Sequence, residues 1–183
     1  EREKNKEKAG IKIPQHIHEP LIFDKYNGNT YWADAILKEM EGLRRLNVFK
    51  FHPPNHKCNK EEGWQFAPMH MIFDIKLQDM RYKARLVVGG HVVDSTTHNT
   101  YSSVIENLSM RLVFLAAVHQ GLTIMTGDIR NAFPTAPCAE KVWSRCRPEF
   151  GSQEGAIVTL MHALYKLKTA SHSFHKFLGN TLR

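Results

Sequence analysis

The amino-acid sequence predicts an α+β fold in a single domain. Of its 183 residues, 42% are hydrophobic, which is enough for a packed core and excludes a chain that is disordered throughout. Apolar residues recur at helical spacing between Tyr31 and Leu46, and they alternate with polar residues between Met69 and Val88. The first pattern is typical of an amphipathic helix and the second of a β-hairpin. We therefore expect an antiparallel sheet packed against helices.

The N-terminal segment, residues 1–26, is expected to be a charged tail or linker that precedes a domain over residues 27–183. Its first eight residues contain no apolar side chain, and such mixed-charge runs are usually solvated.

The first predicted helix runs from Tyr31 to Leu46, and Asn29 or Thr30 can cap its start. Its apolar face carries Trp32, Ile36, Met40 and Leu43. The helix is therefore expected to bury this face against the rest of the domain.

A polar loop follows over residues 52–63. His52, His56 and Cys58 lie within it and could be three zinc ligands, although a fourth ligand at a finger-like spacing is not evident. The alternative is an ordinary loop with exposed histidines.

The alternating residues after this loop predict a hairpin with its turn at Gln78-Asp79-Met80. On the return strand, Arg81, Lys83 and Arg85 share one face. Three cations on one face repel each other unless they face solvent or an anion. The face is therefore either a solvated surface or a phosphate-binding one.

A second helix is predicted from Leu108 to Gln120, and Gly121 is a plausible stop. One of its faces carries Leu108, Leu112, Leu115 and Ala116. The apolar run Leu122–Met125 then predicts a buried strand, with Asp128 just after its end. A carboxylate there can hold a hard cation such as Mg²⁺, or it can simply cap a turn.

The C-terminal third is predicted to contain two strands and a helix. Pro134 and Pro137 interrupt regular structure, strands follow over residues 141–147 and 156–161, and a last helix begins near Ala170. His172 and His175 lie on that helix, and we interpret them as ordinary surface or boundary residues.

The net charge of +7 favours an anionic partner, and nucleic acid is the first candidate. A basic surface without a partner is the alternative. Three irregularly spaced cysteines argue against a disulfide framework and favour a reducing, intracellular compartment. No apolar run is long enough for a transmembrane helix, so no membrane partner is expected.

Five sequence blocks occur in an order that resembles a known family. They are WADAILKEMEGL, MIFDIKLQDMRYKARLVVGGH, TYSSVIENLSMRLVFLAAVHQGL, DIRNAF and ALYKLK. Together they resemble the reverse transcriptase of Ty1/copia-type retrotransposons, over about residues 27–183. The resemblance implies a right-hand polymerase with fingers and a partial palm, which works on an RNA template, a DNA primer and deoxynucleoside triphosphates. It also implies an intracellular location, in a cytoplasmic particle or the nucleus.

The resemblance also implies roles for individual residues. Asp128 matches the first metal-binding aspartate of the palm, for a reaction that uses two Mg²⁺ ions. Lys83 and Arg85 match cations near the incoming triphosphate, and Lys168 belongs to the block near the nucleotide. The turn under the phosphates matches Asn131 and Ala132. Phe133 matches the aromatic gate that selects deoxynucleotides.

Two departures from the family pattern affect these expectations. The sequence contains no adjacent pair of aspartates, so the Asp-Asp hairpin of the family is missing, and we expect no polymerase activity from these residues alone. We also expect a sticky or marginally stable fragment. Lys166 replaces the family glycine, and Pro134 replaces the usual leucine. These replacements leave open a non-catalytic, nucleic-acid-binding remnant of a decayed element.

Overall fold

A computed structural model describes residues 7–95 and 97–183, which form five α-helices and eight β-strands. The helices are α1 (Glu19–Asn27), α2 (Tyr31–Arg45), α3 (Asn107–His119), α4 (Ala132–Thr135) and α5 (Ala170–Thr181). The strands are β1 (Glu7–Lys8), β2 (Ile11–Lys12), β3 (Phe49–His52), β4 (Gln65–Phe66), β5 (Met69–Lys76), β6 (Arg81–Val88), β7 (Val142–Arg145) and β8 (Ile157–Leu160). The expectation of an α+β fold agrees with this mixture.

The strands form three separate sheets. A four-stranded sheet has the order β3-β8-β7-β4, while β1 pairs with β2 and β5 pairs with β6. All pairs are antiparallel except β4 with β7, in which Gln65 lies opposite Val142. The expectation of an antiparallel sheet is therefore wrong at this edge. A parallel pair needs a long crossover, and the chain between β4 and β7 is long enough to supply one.

The β5–β6 hairpin has the predicted turn and the predicted faces. Met69 pairs with Val88 and Lys76 with Arg81, so the cations of β6 lie on the outer face. The inner face is buried, and α2 packs against it. Trp32 of α2 is fully buried there, with its ring edge-on to Phe73 at 5.7 Å between centroids. This contact fixes α2 against the hairpin.

The predicted helix over Tyr31–Leu46 is confirmed as α2, but its main cap comes from an unexpected residue. The carboxylate of Asp24, on α1, accepts hydrogen bonds from the backbone N–H groups of Trp32 at 3.1 Å and Ala33 at 2.8 Å. Thr30 makes no side-chain cap, and Asn29 accepts only a longer bond of 3.3 Å, from the N–H of Tyr31. Helix α1, which the sequence patterns did not predict, is what positions Asp24.

The expected tail is partly structured where the structure describes it. Residues 1–6 lie outside the described residues, but β1, β2 and most of α1 fall before residue 27. Ile13 is buried and belongs to the hydrophobic core. The division between tail and domain at residue 26 stays a prediction.

The second predicted helix is confirmed as α3, which ends at His119, two residues before a left-handed Gly121 with φ at 64°. Its predicted apolar face is not buried, since Ala117 is the single buried residue of the helix. The strand predicted over Leu122–Met125 is wrong, because residues 122–129 are exposed and form no strand. A strand needs a partner edge for its backbone hydrogen bonds, and none of the described strands pairs with this segment.

The last two predicted strands and the last helix are confirmed as β7, β8 and α5. The break predicted at Pro134 is wrong, since this residue lies in the short helix α4. A proline is tolerated there because backbone N–H groups in the first turn of a helix have no acceptor within the helix, so the missing N–H group of proline costs no hydrogen bond. None of the helices that the structure describes is long and apolar enough to cross a membrane.

Candidate functional site

The outer face of β6 presents two cations beside a half-buried carboxylate. Lys83 and Arg85 are exposed on this face. Glu39, which belongs to α2, accepts a hydrogen bond from the backbone N–H of Leu86 through its Oε1 atom at 3.2 Å. The helix therefore places one negative charge beside two positive ones.

The charges of these three side chains affect one another. Burial raises the pKa of Glu39, while the bond from Leu86 and the charges of Arg85 and Lys83 oppose that rise. Partial burial lowers the pKa of Lys83, Arg85 lowers it further, and Glu39 partly offsets the change. The two cations thus exceed the charge of Glu39, which leaves a positive surface that can attract an anion.

Tyr165 connects this surface to a second group of residues. The guanidinium carbon of Arg85 lies 5.4 Å from the centroid of the Tyr165 ring, which is a cation–π contact. The Tyr165 hydroxyl donates to Oδ1 of Asn131 at 3.4 Å. Burial, and then the charge of Glu39, raises the pKa of Tyr165. The phenol is therefore a neutral donor that fixes Asn131 relative to Arg85.

The turn at Asn131, Ala132 and Phe133 begins α4. Asn131 has φ 51° and ψ 42°, a left-handed conformation that asparagine adopts more readily than most residues. Phe133 then lies between two rings, at 5.8 Å from Tyr165 and 6.3 Å from Phe174 of α5. These contacts fix the aromatic ring on the same side of the molecule as Tyr165.

The loop that carries Tyr165 is anchored to β6 by its backbone. The N–H of Val88 donates to the Tyr165 carbonyl at 3.0 Å. Next to this bond, the backbone of Gly90 packs so closely on Lys166 that a Cβ atom at Gly90 would lie 2.0 Å from the Lys166 carbonyl oxygen. Glycine at position 90 is therefore required for this approach. Lys166 itself has φ 70°, in the left-handed region.

The structure joins four of the seven predicted site residues through Glu39 or Tyr165, and Ala132 lies between two of them. Those four are Lys83, Arg85, Asn131 and Phe133. Lys168 is not joined to these residues by a described contact, and its ammonium group instead donates to the Val93 carbonyl at 3.1 Å.

Asp128 does not occupy the position that the sequence predicted. Its carboxylate lies in the exposed, unpaired segment over residues 122–129 rather than at the end of a buried strand. No described contact ties it to the hairpin cations, so its role in the site stays a prediction.

No metal site is formed by the described residues. Within residues 7–95 and 97–183, no three His, Cys, Asp or Glu side chains are grouped in a way that could hold an ion. The structure therefore does not support a zinc site at His52, His56 and Cys58. His52 instead stacks on His56, with 4.1 Å between ring centroids, and contacts the Thr159 hydroxyl at 3.1 Å. His172 contacts the Tyr101 carbonyl at 2.8 Å, which agrees with a structural role.

Sequence reasoning missed Glu39, although a signal was present. Glu39 lies seven residues after Trp32 and three after Ile36, so it interrupts the apolar stripe of α2 with a charge. A carboxylate on such a stripe needs a donor or a cation opposite it. The Leu86 N–H and the two cations of β6 satisfy that need.

Comparison with known proteins identifies the family of this chain. Residues 53–183 match the family described as reverse transcriptase (RNA-dependent DNA polymerase). The chain is also 33% identical, over 134 residues, to the retrovirus-related Pol polyprotein from transposon RE1 of Arabidopsis thaliana. That match covers 71% of this chain but only 9% of the relative. No solved structure matches. The chain therefore belongs to the reverse transcriptase (RNA-dependent DNA polymerase) family, as a fragment of the copia type.

Proposed function

We propose that this chain forms the nucleotide-facing part of an RNA-directed DNA polymerase. In the longer parent protein, it would bind a deoxynucleoside triphosphate opposite an RNA template and beside a DNA primer. The observation that supports this proposal is the convergence of Arg85, Tyr165, Asn131 and Phe133, which come from three distant parts of the chain. The guanidinium group of Arg85 and the polar Asn131 suit a phosphate or a base, and the ring of Phe133 suits a sugar.

Each residue has a distinct task in this proposal. Arg85 and Lys83 neutralise the charge on the triphosphate, which is the main requirement of phosphoryl transfer. The charge of Glu39 partly balances the two cations while they are without a ligand. Phe133, fixed between Tyr165 and Phe174, excludes a 2′-hydroxyl by its bulk. The backbone at Asn131 and Ala132 lies under the phosphates.

Mg²⁺ does not fit the described residues as a complete centre. Divalent ions in such sites are held by several oxygen ligands, whereas Asp128 offers one exposed carboxylate. We propose Asp128 as one ligand of a centre whose remaining carboxylates belong to other parts of the parent protein. We derive no catalytic step from the metal, and we expect no primer extension by this chain alone.

Equilibrium binding of dATP and ATP tests the nucleotide site. We expect Arg85→Gln to weaken dATP binding about tenfold, since a charge-assisted contact contributes about 1.5 kcal/mol or more. Phe133→Ala should tighten ATP binding relative to dATP, because the steric exclusion of the 2′-hydroxyl is removed. Lys176→Gln, an exposed change on α5, is the charge-matched control. Equal affinities of R85Q, K176Q and the unmodified chain would refute the site.

A second candidate function is a non-catalytic, nucleic-acid-binding remnant of a decayed element. The exposed cations Lys83 and Arg85 on one face of β6 favour this alternative, because they suit a phosphate backbone without any metal ion. It predicts that oligonucleotide binding persists in Asp128→Asn and is unaffected by Mg²⁺ or dATP. Competition between dATP and the oligonucleotide that depends on Mg²⁺ would instead favour the polymerase fragment.

A further inference from the structure

The start of α5 is held by a hydrogen bond between two buried polar side chains. The hydroxyl of Thr169 donates to Oε2 of Glu140 at 2.5 Å. Thr169 is 1% exposed and Glu140 is 3% exposed, so water has almost no access to either partner. The two residues are 29 positions apart in the sequence. The bond therefore ties the loop before β7 to the residue that precedes α5.

Glu140 depends on this bond because its other contacts are weak or missing. Its second oxygen, Oε1, is buried and has no hydrogen-bond partner in the part of the chain that the structure describes. The Cys138 thiol lies 4.0 Å from Oε2. Burial, and then Glu140, raises the pKa of this thiol to about 12, so it carries no charge near neutral pH. Burying a carboxyl group with so few donors costs free energy, and in some proteins such groups select one arrangement of elements.

Thr169 does not make the side-chain bond that is usual at the start of a helix. It is the N-cap residue of α5, and its carbonyl accepts a hydrogen bond from the N–H of Ser173 at 2.8 Å. The side-chain oxygen of an N-cap threonine normally accepts a bond from a helix N–H group, but no such bond is made here. The hydroxyl donates to Glu140 instead. The bond therefore fixes where α5 starts relative to the loop before β7.

Thr169 also lies between the two residues whose rings pack on Phe133. Tyr165 is four residues before it and Phe174 is five residues after it. The centroids of these rings lie 5.8 Å and 6.3 Å from the centroid of the Phe133 ring. Helix α4, which carries Phe133, packs against α5. A shift at Thr169 would therefore disturb both rings that fix Phe133.

We propose that Glu140 and Thr169 are positioning residues for the selection of the nucleotide sugar. They act through Tyr165 and Phe174, which hold the ring of Phe133 where it excludes a 2′-hydroxyl. The inference rests on the proposed function and adds to it the origin of the discrimination between deoxynucleotides and ribonucleotides. A ring that can move aside admits the extra hydroxyl, so discrimination requires that the supporting side chains are themselves fixed.

The first test replaces Thr169 and measures equilibrium binding of dATP and ATP. Thr169→Val removes the hydroxyl with little change in shape, so the ratio of dATP affinity to ATP affinity should fall several-fold. Thr169→Ser keeps the hydroxyl and should retain the ratio. Thr181→Val is the matched control, because Thr181 is exposed on the same helix and its hydroxyl donates to the Phe177 carbonyl at 2.9 Å. An unchanged ratio in T169V, or an equal fall in T169S or T181V, would overturn the proposal.

The same measurement in a Phe133→Ala background tests whether the pair acts through this ring. F133A removes the group that discriminates between the sugars, so adding T169V should lower the ratio no further. A further fall as large as the one that T169V causes in the presence of Phe133 would contradict the proposed route.

Replacing both partners separates positioning from stability. T169V leaves a buried oxygen of Glu140 without its donor and should lower the Tm by several degrees, whereas Glu140→Met with Thr169→Val removes the unpaired group. We expect this double variant to regain the Tm but not the ratio. It also keeps the test decisive if T169V alone does not fold. Recovery of both quantities would show that the pair only stabilises the fold, and would overturn the positioning role.

The outcomes also separate this inference from the proposed function. If R85Q weakens dATP binding while T169V leaves the ratio unchanged, the positioning role is refuted and the nucleotide site remains. If the unmodified chain does not bind dATP, the proposed function and the inference are both refuted.

Discussion

Gly90 and Lys166 meet where the Tyr165 loop lies on the end of β6. The contact is between backbones, so neither partner can yield by changing a side-chain rotamer. The loop must approach this closely for Val88 to donate to the Tyr165 carbonyl. A single position without a Cβ atom thus controls where Tyr165 lies, and through it the contacts to Arg85 and Asn131.

Gly90→Ala should therefore destabilise the protein and disturb the nucleotide site together. The new Cβ would lie 2.0 Å from the Lys166 oxygen, and relieving such an overlap by moving backbone costs about 3 kcal/mol. Urea unfolding measures the loss, and dATP binding should weaken in the same variant. Gly179→Ala is a matched control, since nothing lies within 4 Å of its added Cβ and a helical alanine is favoured over glycine. A stability of G90A equal to that of the unmodified chain would contradict the close approach.

At the level of helices and strands, sequence patterns predicted those elements whose structure depends on contacts between residues close in the sequence. The hairpin register followed from the alternation between Met69 and Val88, because its two strands are joined by a short turn and pair with each other. The face that carries Lys83 and Arg85 followed from the same alternation. Helix α2 could also be predicted from the sequence, since Trp32, Met40 and Leu43 repeat at helical spacing, and all three are buried.

Elements whose structure depends on partners distant in the sequence could not be predicted from local patterns. The run Leu122–Met125 has the composition of a strand, but composition does not supply a partner edge, and the segment is unpaired in the structure. The cap of α2 is similar, because Asp24 acts across a turn from another helix and is not at the N-cap position. Glu39 acquired its role from β6, which follows it in the chain by more than 40 residues.

The cap of α2 gives a prediction at this scale. Asp24→Ala should cost about 2 kcal/mol of unfolding free energy, because two N–H groups at the start of the helix lose a buried carboxylate. Asp24→Asn should cost less, since an amide keeps one acceptor. Urea unfolding followed by tryptophan fluorescence measures both. Asp34→Ala is the control, because Asp34 is exposed and its carboxylate accepts a hydrogen bond from the Thr30 hydroxyl. Equal losses in D24A and D34A would assign the stabilisation to the helix dipole alone.

Considered as a whole, the molecule has a well-packed part and an open apolar part. The packed part joins α2, the β5–β6 hairpin and the four-stranded sheet through a common core. The open part consists of α3 and residues 122–129, which we call the apolar flank. Its exposed side chains include Leu108, Leu112, Val113, Leu115, Val118, Leu122, Ile124 and Met125. A helix that is apolar on most sides is typical of one that is covered by other structure.

The apolar flank should make the isolated chain associate with itself. Leu115 is 67% exposed and Val118 is 76% exposed, so replacing both by lysine removes apolar surface without opening a cavity. We expect Leu115→Lys with Val118→Lys to leave the Tm within about 2 °C, because surface changes alter stability by about 0.5 kcal/mol or less. The same pair should shift sedimentation profiles toward monomer at high concentration. Leu182→Lys, a change at an isolated side chain that is 77% exposed, serves as the control for added charge. If L182K reduces association as much as the pair does, then net charge rather than the flank governs self-association, and the flank is not the contact surface.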